Sequence, residues 1–349
     1  MLSGTSERED SLNIEICDGL AKGEAPAAIA NSINLPLSEV RSRIASLVQA
    51  GLLLAGAADS YTPAFPIIHR AEAGWFTDID KPLIQATVAA IEARQRELRT
   101  HFHDVLHLQA AQEQALSLVL FGDVLFDRWQ TRHVREGFLP GYPPARSGKV
   151  FYVAALEKVP GPIGSLGIYT HSEARYGEVA VITYGHIAVL DPFAGRPPES
   201  VPELIDSYLA FARGTSPATT ELCELGFVTG GQPAIAVVSQ NAYARLPEIT
   251  SSFTEELLRL LNADRPKILA AYQASRYSPS VSFQEFALWW YHFFDAAVVE
   301  RLIRDQLITV PAVGYATLIV IPAAVVQKVP ATWSAAVVPT GPGSVSSSP

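Results

Sequence analysis

The chain has 349 residues, a net charge of −9, and an apolar fraction of 48% beside 17% charged residues. This apolar content excludes a chain that is disordered throughout. The net negative charge disfavours sequence-independent coating of nucleic acid, which needs many cations. The two cysteines, Cys17 and Cys223, are far apart in the sequence and predict neither a disulfide framework nor a zinc finger.

No segment of the sequence predicts a membrane partner. The first residues have no apolar stretch behind a basic start, so they do not match a secretory signal. The longest uncharged apolar run near the end, residues 315–326, is shorter than the roughly 20 residues that a membrane-spanning helix needs. We therefore expect a soluble, cytoplasmic protein.

Residues 11–69 carry the clearest pattern of predicted elements. Apolar residues at helical spacing predict a helix over 11–21, a short second helix opened by Pro26, and a third helix from about residue 37 to Gly51. The third helix is predicted to bury Val40, Ile44, Leu47 and Val48. A strand, a tight loop and a second strand are predicted to follow and to end near residue 63.

This order of elements resembles the winged helix-turn-helix domain of small bacterial transcription regulators. The stretch APAAIANSINLPLSEVRSRIASLVQAGLL and the hairpin that ends at YTP carry the resemblance, which covers about 60 of the 349 residues. It implies that the third helix enters the major groove of DNA. On that helix, the residues expected to contact bases or phosphates are Ser38, Arg41, Ser42 and Arg43.

The charge of this region favours a different role. Residues 1–70 contain five basic and eight acidic residues, a net charge of −3, whereas DNA-binding domains are usually basic. The alternative that the region serves only for packing or dimerisation therefore stays open.

Residues 82–137 are predicted to form long dimerisation or linking helices. Their apolar steps alternate four and three residues, as in a coiled coil. A helix of about 35 residues would be about 50 Å long and would need a partner, which we expect to be a second copy of the chain in a homodimer. The seam positions are Ile84, Val88, Ile91, Gln95, Leu98, Phe102, Val105, Gln109, Gln112 and Leu116.

Two polar groupings in these helices are candidate sites. Arg128, Arg132 and Arg135 share one helical face and suit an anion, but flanking acidic residues make a solvated charged face at least as good an interpretation. His103 and His107 are four residues apart, yet they fall on the outer side of the seam and have no third ligand at a familiar spacing. We therefore predict no metal site.

A Pro- and Gly-rich stretch, residues 139–148, marks the best internal boundary. Beyond it, strands and helices do not alternate regularly, so residues 150–327 predict a mixed α+β domain. The Pro- and Ser-rich tail, residues 328–349, is predicted to be disordered.

The segment 283–303 is the most apolar predicted helix, and it is interpreted as a ligand-binding element of a sensing domain. Glu285, Trp289 and His292 share a face of the helix, and Trp290 and Tyr291 are the aromatic residues expected to line a pocket beside them. A buried core helix with a hydrogen-bonded histidine is the simpler alternative.

The sequence as a whole therefore predicts an α+β chain that acts as a ligand-responsive, dimeric, DNA-binding transcription regulator. Its expected partners are DNA, a second copy and an unidentified small molecule. The sequence contains no GxSxG motif, no Walker loop and no GxGxxG motif after a strand, so no catalytic residue or cofactor is predicted. Two alternatives stay open. One is an enzyme with Glu285 and His292 as acid and base, and the other is an assembly factor whose N-terminal region binds protein.

Overall fold

The computed structural model describes residues 7–78, 81–106, 110–127, 137–139, 146, 154–156, 169–186, 193, 195–310 and 315–322. These residues form a mixed α+β protein. Four predicted features lie outside them: His107, the Arg128, Arg132 and Arg135 face, most of the 139–148 boundary, and the tail 328–349.

Residues 7–68 form a unit with its own core, which we call the N-terminal unit. Its helices are α1 (Glu7–Ala21), α2 (Pro26–Ser32) and α3 (Leu37–Gln49), followed by strands β1 (Leu53–Ala55), β2 (Tyr61–Pro63) and β3 (Ile67–Ile68). Strands β1 and β2 pair antiparallel, with Leu54 opposite Thr62. The predicted order of elements is confirmed.

The core of the N-terminal unit follows from helical spacing. Of the four residues of α3 predicted to be buried, Val40, Ile44 and Leu47 are buried and Val48 is half-buried, and Gly51 adopts the left-handed backbone (φ 72°) that ends the helix. They pack with Ile16 and other apolar residues in a cluster that is separate from the rest of the core. Cys17 lies in this cluster, where burial raises the pKa of its thiol to about 12.

A layer of helices follows the N-terminal unit. It contains α4 (Arg70–Asp78), α5 (Lys81–Leu106), α6 (Ala110–Leu118) and, directly after α6, a π-helix (Val119–Asp127) whose residues 119–126 are all buried. The layer is completed by two long helices, α10 (Leu246–Ala274) and α11 (Phe283–Arg304). No helix in the described ranges is both long and apolar enough to cross a membrane.

The main sheet has four strands in the order β5-β6-β10-β9. The strands are β5 (Tyr169–Tyr176), β6 (Val179–His186), β9 (Ala236–Ser239) and β10 (Tyr315–Ile321). The two central strands, β6 and β10, pair antiparallel, whereas β10 and β9 are parallel. Strand β4 (Ala155–Leu156) stands apart and pairs in parallel with β3 of the N-terminal unit.

Alternate residues of the sheet face two different layers, as the two-residue period of a strand requires. Ile182 and Leu318 join the cluster formed by α5, the π-helix, α10 and α11, while Val181 and Ile319 join a smaller cluster on the other face. The smaller layer contains α7 (Val201–Ala212), α8 (Thr220–Glu224) and a short hairpin, β7 (Val228–Thr229) and β8 (Gln232–Pro233). Helix α9 (Gln240–Ala244) connects β9 to α10.

The apolar seam of α5 is occupied within the chain. Helix α5 has 26 residues, not the predicted 35, and it packs against α10 and α11. Val88, Leu98 and Phe102 are buried there, whereas Gln95 is only half-buried. The inference that this seam requires a second copy is therefore wrong, because the partner helices belong to the same chain. His103 is exposed beside Asp104 on the outer side of α5, as predicted.

Candidate functional site

The outer face of α3 is the first candidate site. Because α3 buries Val40, Ile44 and Leu47, the residues between them point outward, and Ser38, Arg41 and Ser42 are all exposed. The Arg41 side chain keeps 59% of its surface accessible. Three of the four predicted DNA-contacting residues therefore lie together on one exposed helical face.

Arg41 is held at the tip of the hairpin. Its Nη2 donates to Asp59 Oδ2 at 2.9 Å, and the Tyr61 hydroxyl donates to the other carboxylate oxygen at 2.8 Å. The hydrogen bond to Asp59 is the main reason that the pKa of Tyr61 is raised. The sequence pattern did not indicate this contact, because Asp59 follows Arg41 by 18 residues across a turn.

Arg43, the fourth predicted residue, is placed differently. Only 21% of its side chain is accessible, and its Nη2 donates to Glu39 Oε1 at 3.0 Å. A longer hydrogen bond, at 3.5 Å, reaches Asn13 on α1. Arg43 therefore links α3 to α1 at the edge of the exposed face.

The N-terminal unit is anchored to the rest of the protein by Arg146. This arginine is 3% exposed and binds Glu285, which is fully buried in the first turn of α11. It also donates to the carbonyl oxygens of Gly51 (3.3 Å) and Ala64 (2.8 Å). One guanidinium thus joins the end of α3, the chain after β2, and the start of α11.

A second anchor lies at β3. Arg276 Nη2 donates to the Ile67 carbonyl at 2.8 Å and to Glu72 Oε2 at 2.7 Å, and the Tyr277 hydroxyl donates to the same carbonyl at 3.2 Å. Both anchors contact the chain at Gly51 or beyond. The outer face of α3 therefore stays accessible.

The predicted ligand-binding residues of α11 do not share one pocket. Glu285 binds Arg146, whereas His292 lies two turns further on, about 10 Å along the axis, with its Nδ1 3.7 Å from Asp295 Oδ2. Trp290 and Tyr291 are fully buried in the core, where Trp290 stacks on Phe294.

The remaining contacts on α11 agree with a packing role for these aromatic residues. The Tyr291 hydroxyl donates to the Phe126 carbonyl at 2.9 Å. Trp289 is half-buried, with its ring centroid 5.4 Å from that of His292.

A buried polar cluster lies next to the π-helix, and the sequence predicted only one of its members, His292. We define it by Asp123, Asp127, His171, Tyr184, His292 and Asp295. His171 Nδ1 lies 3.0 Å from both carboxylate oxygens of the fully buried Asp123, and the His171 backbone N–H donates to Asp127 at 3.2 Å. A carboxylate that holds a histidine in this way fixes the orientation of the imidazole ring.

Tyr184 completes the cluster from the neighbouring strand. It lies directly opposite His171 in the β5–β6 register. Its ring packs over Gly122 of the π-helix, where an added Cβ would be 2.3 Å from Tyr184 Cε1, so the close approach requires glycine. The Tyr184 hydroxyl and Asp295 Oδ1 are buried and have no hydrogen-bond partner among the described residues.

Burial and mutual proximity shift the acidities in the cluster. Burial raises the pKa of Asp295 to about 7, against an opposing effect of His292. Burial disfavours charge on His292, but the nearby carboxylates of Asp295 and Asp127 outweigh burial and raise its pKa. The pKa of Tyr184 is raised by burial and then by Asp295, Asp127 and Asp123. Asp295, His292 and Tyr184 therefore bind their protons more tightly than they would in water.

In the described part of the chain, no three His, Cys, Asp or Glu side chains are arranged to hold a metal ion. No protein-family model, no curated protein and no solved structure matches this chain. The geometry of the two sites is therefore the basis for assigning a function.

Proposed function

We propose that this chain is a DNA-binding transcription regulator in which the N-terminal unit is a winged helix-turn-helix domain and α3 is its recognition helix. The observation that carries the proposal is the exposed face of Ser38, Arg41 and Ser42, which both anchors leave accessible. Helix α3 has 13 residues and is about 20 Å long, a size that the major groove accepts.

The charges near α3 favour binding to a short sequence over general binding to phosphates. Arg41 and Arg43 are each paired with a carboxylate, so few cations remain for the DNA backbone. Such a small interface favours two copies acting on two half-sites about 34 Å apart. The second copy would have to bind through a surface other than the α5 seam, which is buried within the chain.

Helix α11 supports a ligand-responsive mechanism. Its first turn holds Arg146 through Glu285, and its third and fourth turns contribute His292 and Asp295 to the buried polar cluster. A small molecule that shifts α11 at the cluster would therefore act on the anchor of the N-terminal unit, and so on the spacing of two recognition helices.

The test is selection of fragmented genomic DNA by the purified full chain, followed by binding measurements across a salt series. We expect enrichment of one sequence and an affinity that decreases with salt. The variant Arg41→Ala/Arg43→Ala should bind the selected sequence at least tenfold more weakly. The matched control, Arg245→Ala/Arg259→Ala, removes the same charge from exposed arginines of the body and should bind as the wild type does.

Two results would refute this proposal. One is the absence of any enriched sequence, even at low salt. The other is equal weakening in the two double variants, since this would mean that only total charge matters.

A second candidate function, enzymatic catalysis, is favoured by one observation, the pairing of His171 with the buried Asp123 beside the π-helix. A histidine oriented by a carboxylate is a common general base, and π-helical segments are frequent at functional sites. This pair would replace the predicted pair of Glu285 and His292, which the structure separates. The test is to incubate the protein with a pool of small metabolites and to follow them by mass spectrometry. Turnover at the wild-type rate in Asp123→Asn would exclude His171 as a general base that is oriented by Asp123.

A further inference from the structure

The tip of the β1–β2 hairpin has an unusual backbone. Ala58 and Asp59 both have positive φ angles, 55° and 61°, which is the geometry of a tight type I′ turn. Glycine and asparagine are favoured at such positions and alanine is not. The turn places the Asp59 carboxylate against the recognition helix.

Asp59 connects two side chains of the exposed face. Tyr61 donates to Oδ1 and Arg41 donates to Oδ2, so the carboxylate is fixed from one side and holds the guanidinium from the other. Arg41 uses a single donor in this contact, and the guanidinium has five. A planar guanidinium fixed at one nitrogen can still present two other donors to a ligand.

We propose that Asp59 is a positioning residue that orients Arg41 toward the edge of a guanine in the major groove. The inference rests on the proposed function. Arginine recognises guanine by two parallel hydrogen bonds to O6 and N7, which require a defined plane of the guanidinium. A carboxylate beside Arg41 also repels phosphates, so Asp59 lowers affinity for DNA of any sequence while it sharpens the choice of base.

Four variants separate these two effects. Asp59→Gly removes the carboxylate and Asp59→Asn keeps an acceptor without charge, and both residues tolerate the backbone of the turn. Arg41→Lys keeps the cation but loses the planar fork. Glu39→Gln is the matched control, because it removes one negative charge from the same helix without touching Arg41. Unchanged circular dichroism and unfolding midpoints check that each variant is folded.

The experiment measures binding of the full chain to the selected sequence, to its single-base variants and to random DNA. We expect Asp59→Gly and Glu39→Gln to bind random DNA more tightly than the wild type. Only Asp59→Gly and Arg41→Lys should lose the preference for guanine at one position, by about fivefold to 100-fold, the range for one bidentate contact. Asp59→Asn should restore part of that preference.

The outcomes distinguish this inference from the proposed function. A wild-type chain that selects no DNA defeats both. A wild-type chain that selects a sequence, together with an Asp59→Gly variant that keeps its full preference for guanine, defeats only the role of Asp59. Loss of the same preference in Glu39→Gln would also overturn that role, since charge alone would then explain it.

Discussion

The stability of the protein should be sensitive to substitution of either member of the buried ion pair between Arg146 and Glu285. Both groups are almost fully buried, so removal of one takes away the opposite charge that faces the other in the core. We expect Glu285→Leu to lower the free energy of unfolding by about 3–5 kcal/mol. Arg146→Met should cost at least as much, because it also leaves the carbonyl groups of Gly51 and Ala64 without this donor.

The double variant is the decisive measurement. Arg146→Met/Glu285→Leu removes both charges and leaves a pair of apolar side chains, so it should cost much less than the two single variants together; loss of the hydrogen bonds to the Gly51 and Ala64 carbonyl groups contributes about 1 kcal/mol each. With single costs of about 3–5 kcal/mol each and a double cost of about 2 kcal/mol, the two single costs would together exceed the double cost by roughly 4–8 kcal/mol. This coupling is far above the range expected for an exposed pair.

Urea denaturation, monitored by tryptophan fluorescence, gives the free energies of unfolding of the wild type, the two single variants and the double variant. The exposed pair Arg301–Asp305, which also involves α11, is the matched control and should show a coupling of about 0.5 kcal/mol or less. A coupling below about 1 kcal/mol for Arg146 and Glu285 would contradict the reasoning, because it would mean that water reaches the pair.

Three further predictions concern the body of the protein. Gly122→Ala places a Cβ 2.3 Å from the Tyr184 ring and should lower the free energy of unfolding by about 1–3 kcal/mol, measured by urea denaturation; an unchanged value would show that the ring can move. Asp295 has a folded pKa of about 7 against an ordinary value of 3.8, so the folded state keeps a proton that the unfolded state releases between these values. Its contribution to the free energy of unfolding should therefore decrease as pH rises from about 4 to 7. In Asp295→Asn this decrease should be absent, and the free energy of unfolding at pH 8 should exceed that of the wild type by up to about 4 kcal/mol. A variant whose stability depends on pH as the wild type's does would contradict this account. Phe102→Ala should cost about 3–5 kcal/mol at every protein concentration, since its neighbours lie in the same chain, and a loss that shrinks with increasing concentration would instead indicate a partner copy.

The spacing of apolar residues in the sequence was sufficient to predict the helices and the hairpin of the N-terminal unit. The spacing of Val40, Ile44 and Leu47 predicted both the position of α3 and its buried face, and therefore the outward direction of Arg41. These features depend on residues within one or two turns of each other. The contact of Asp59 with Arg41 was missed because it depends on a turn with positive φ angles at Ala58 and Asp59. The sequence AADS does not predict such a turn.

The long-range contacts could not be predicted in the same way. The seam of α5 indicated correctly that a helix must cover it, but periodicity does not say whether that helix lies in the same chain. Asp123 and His171 are separated by 48 residues and meet only because the π-helix packs on β5. Glu285 and His292 share a helical face, yet Glu285 pairs with Arg146 and His292 lies beside Asp295. The spacing of Glu285 and His292 predicts neither of these partners.

The two anchors of the N-terminal unit also set an order of assembly during synthesis. Nearly all of the apolar core of this unit is encoded before residue 68, so it emerges from the ribosome before the residues that anchor it. Arg146 follows about 80 residues later, and Arg276, Tyr277 and Glu285 follow more than 200 residues later. Between the synthesis of β3 and that of α11, the nascent chain therefore carries an N-terminal unit whose anchoring residues have not all been made.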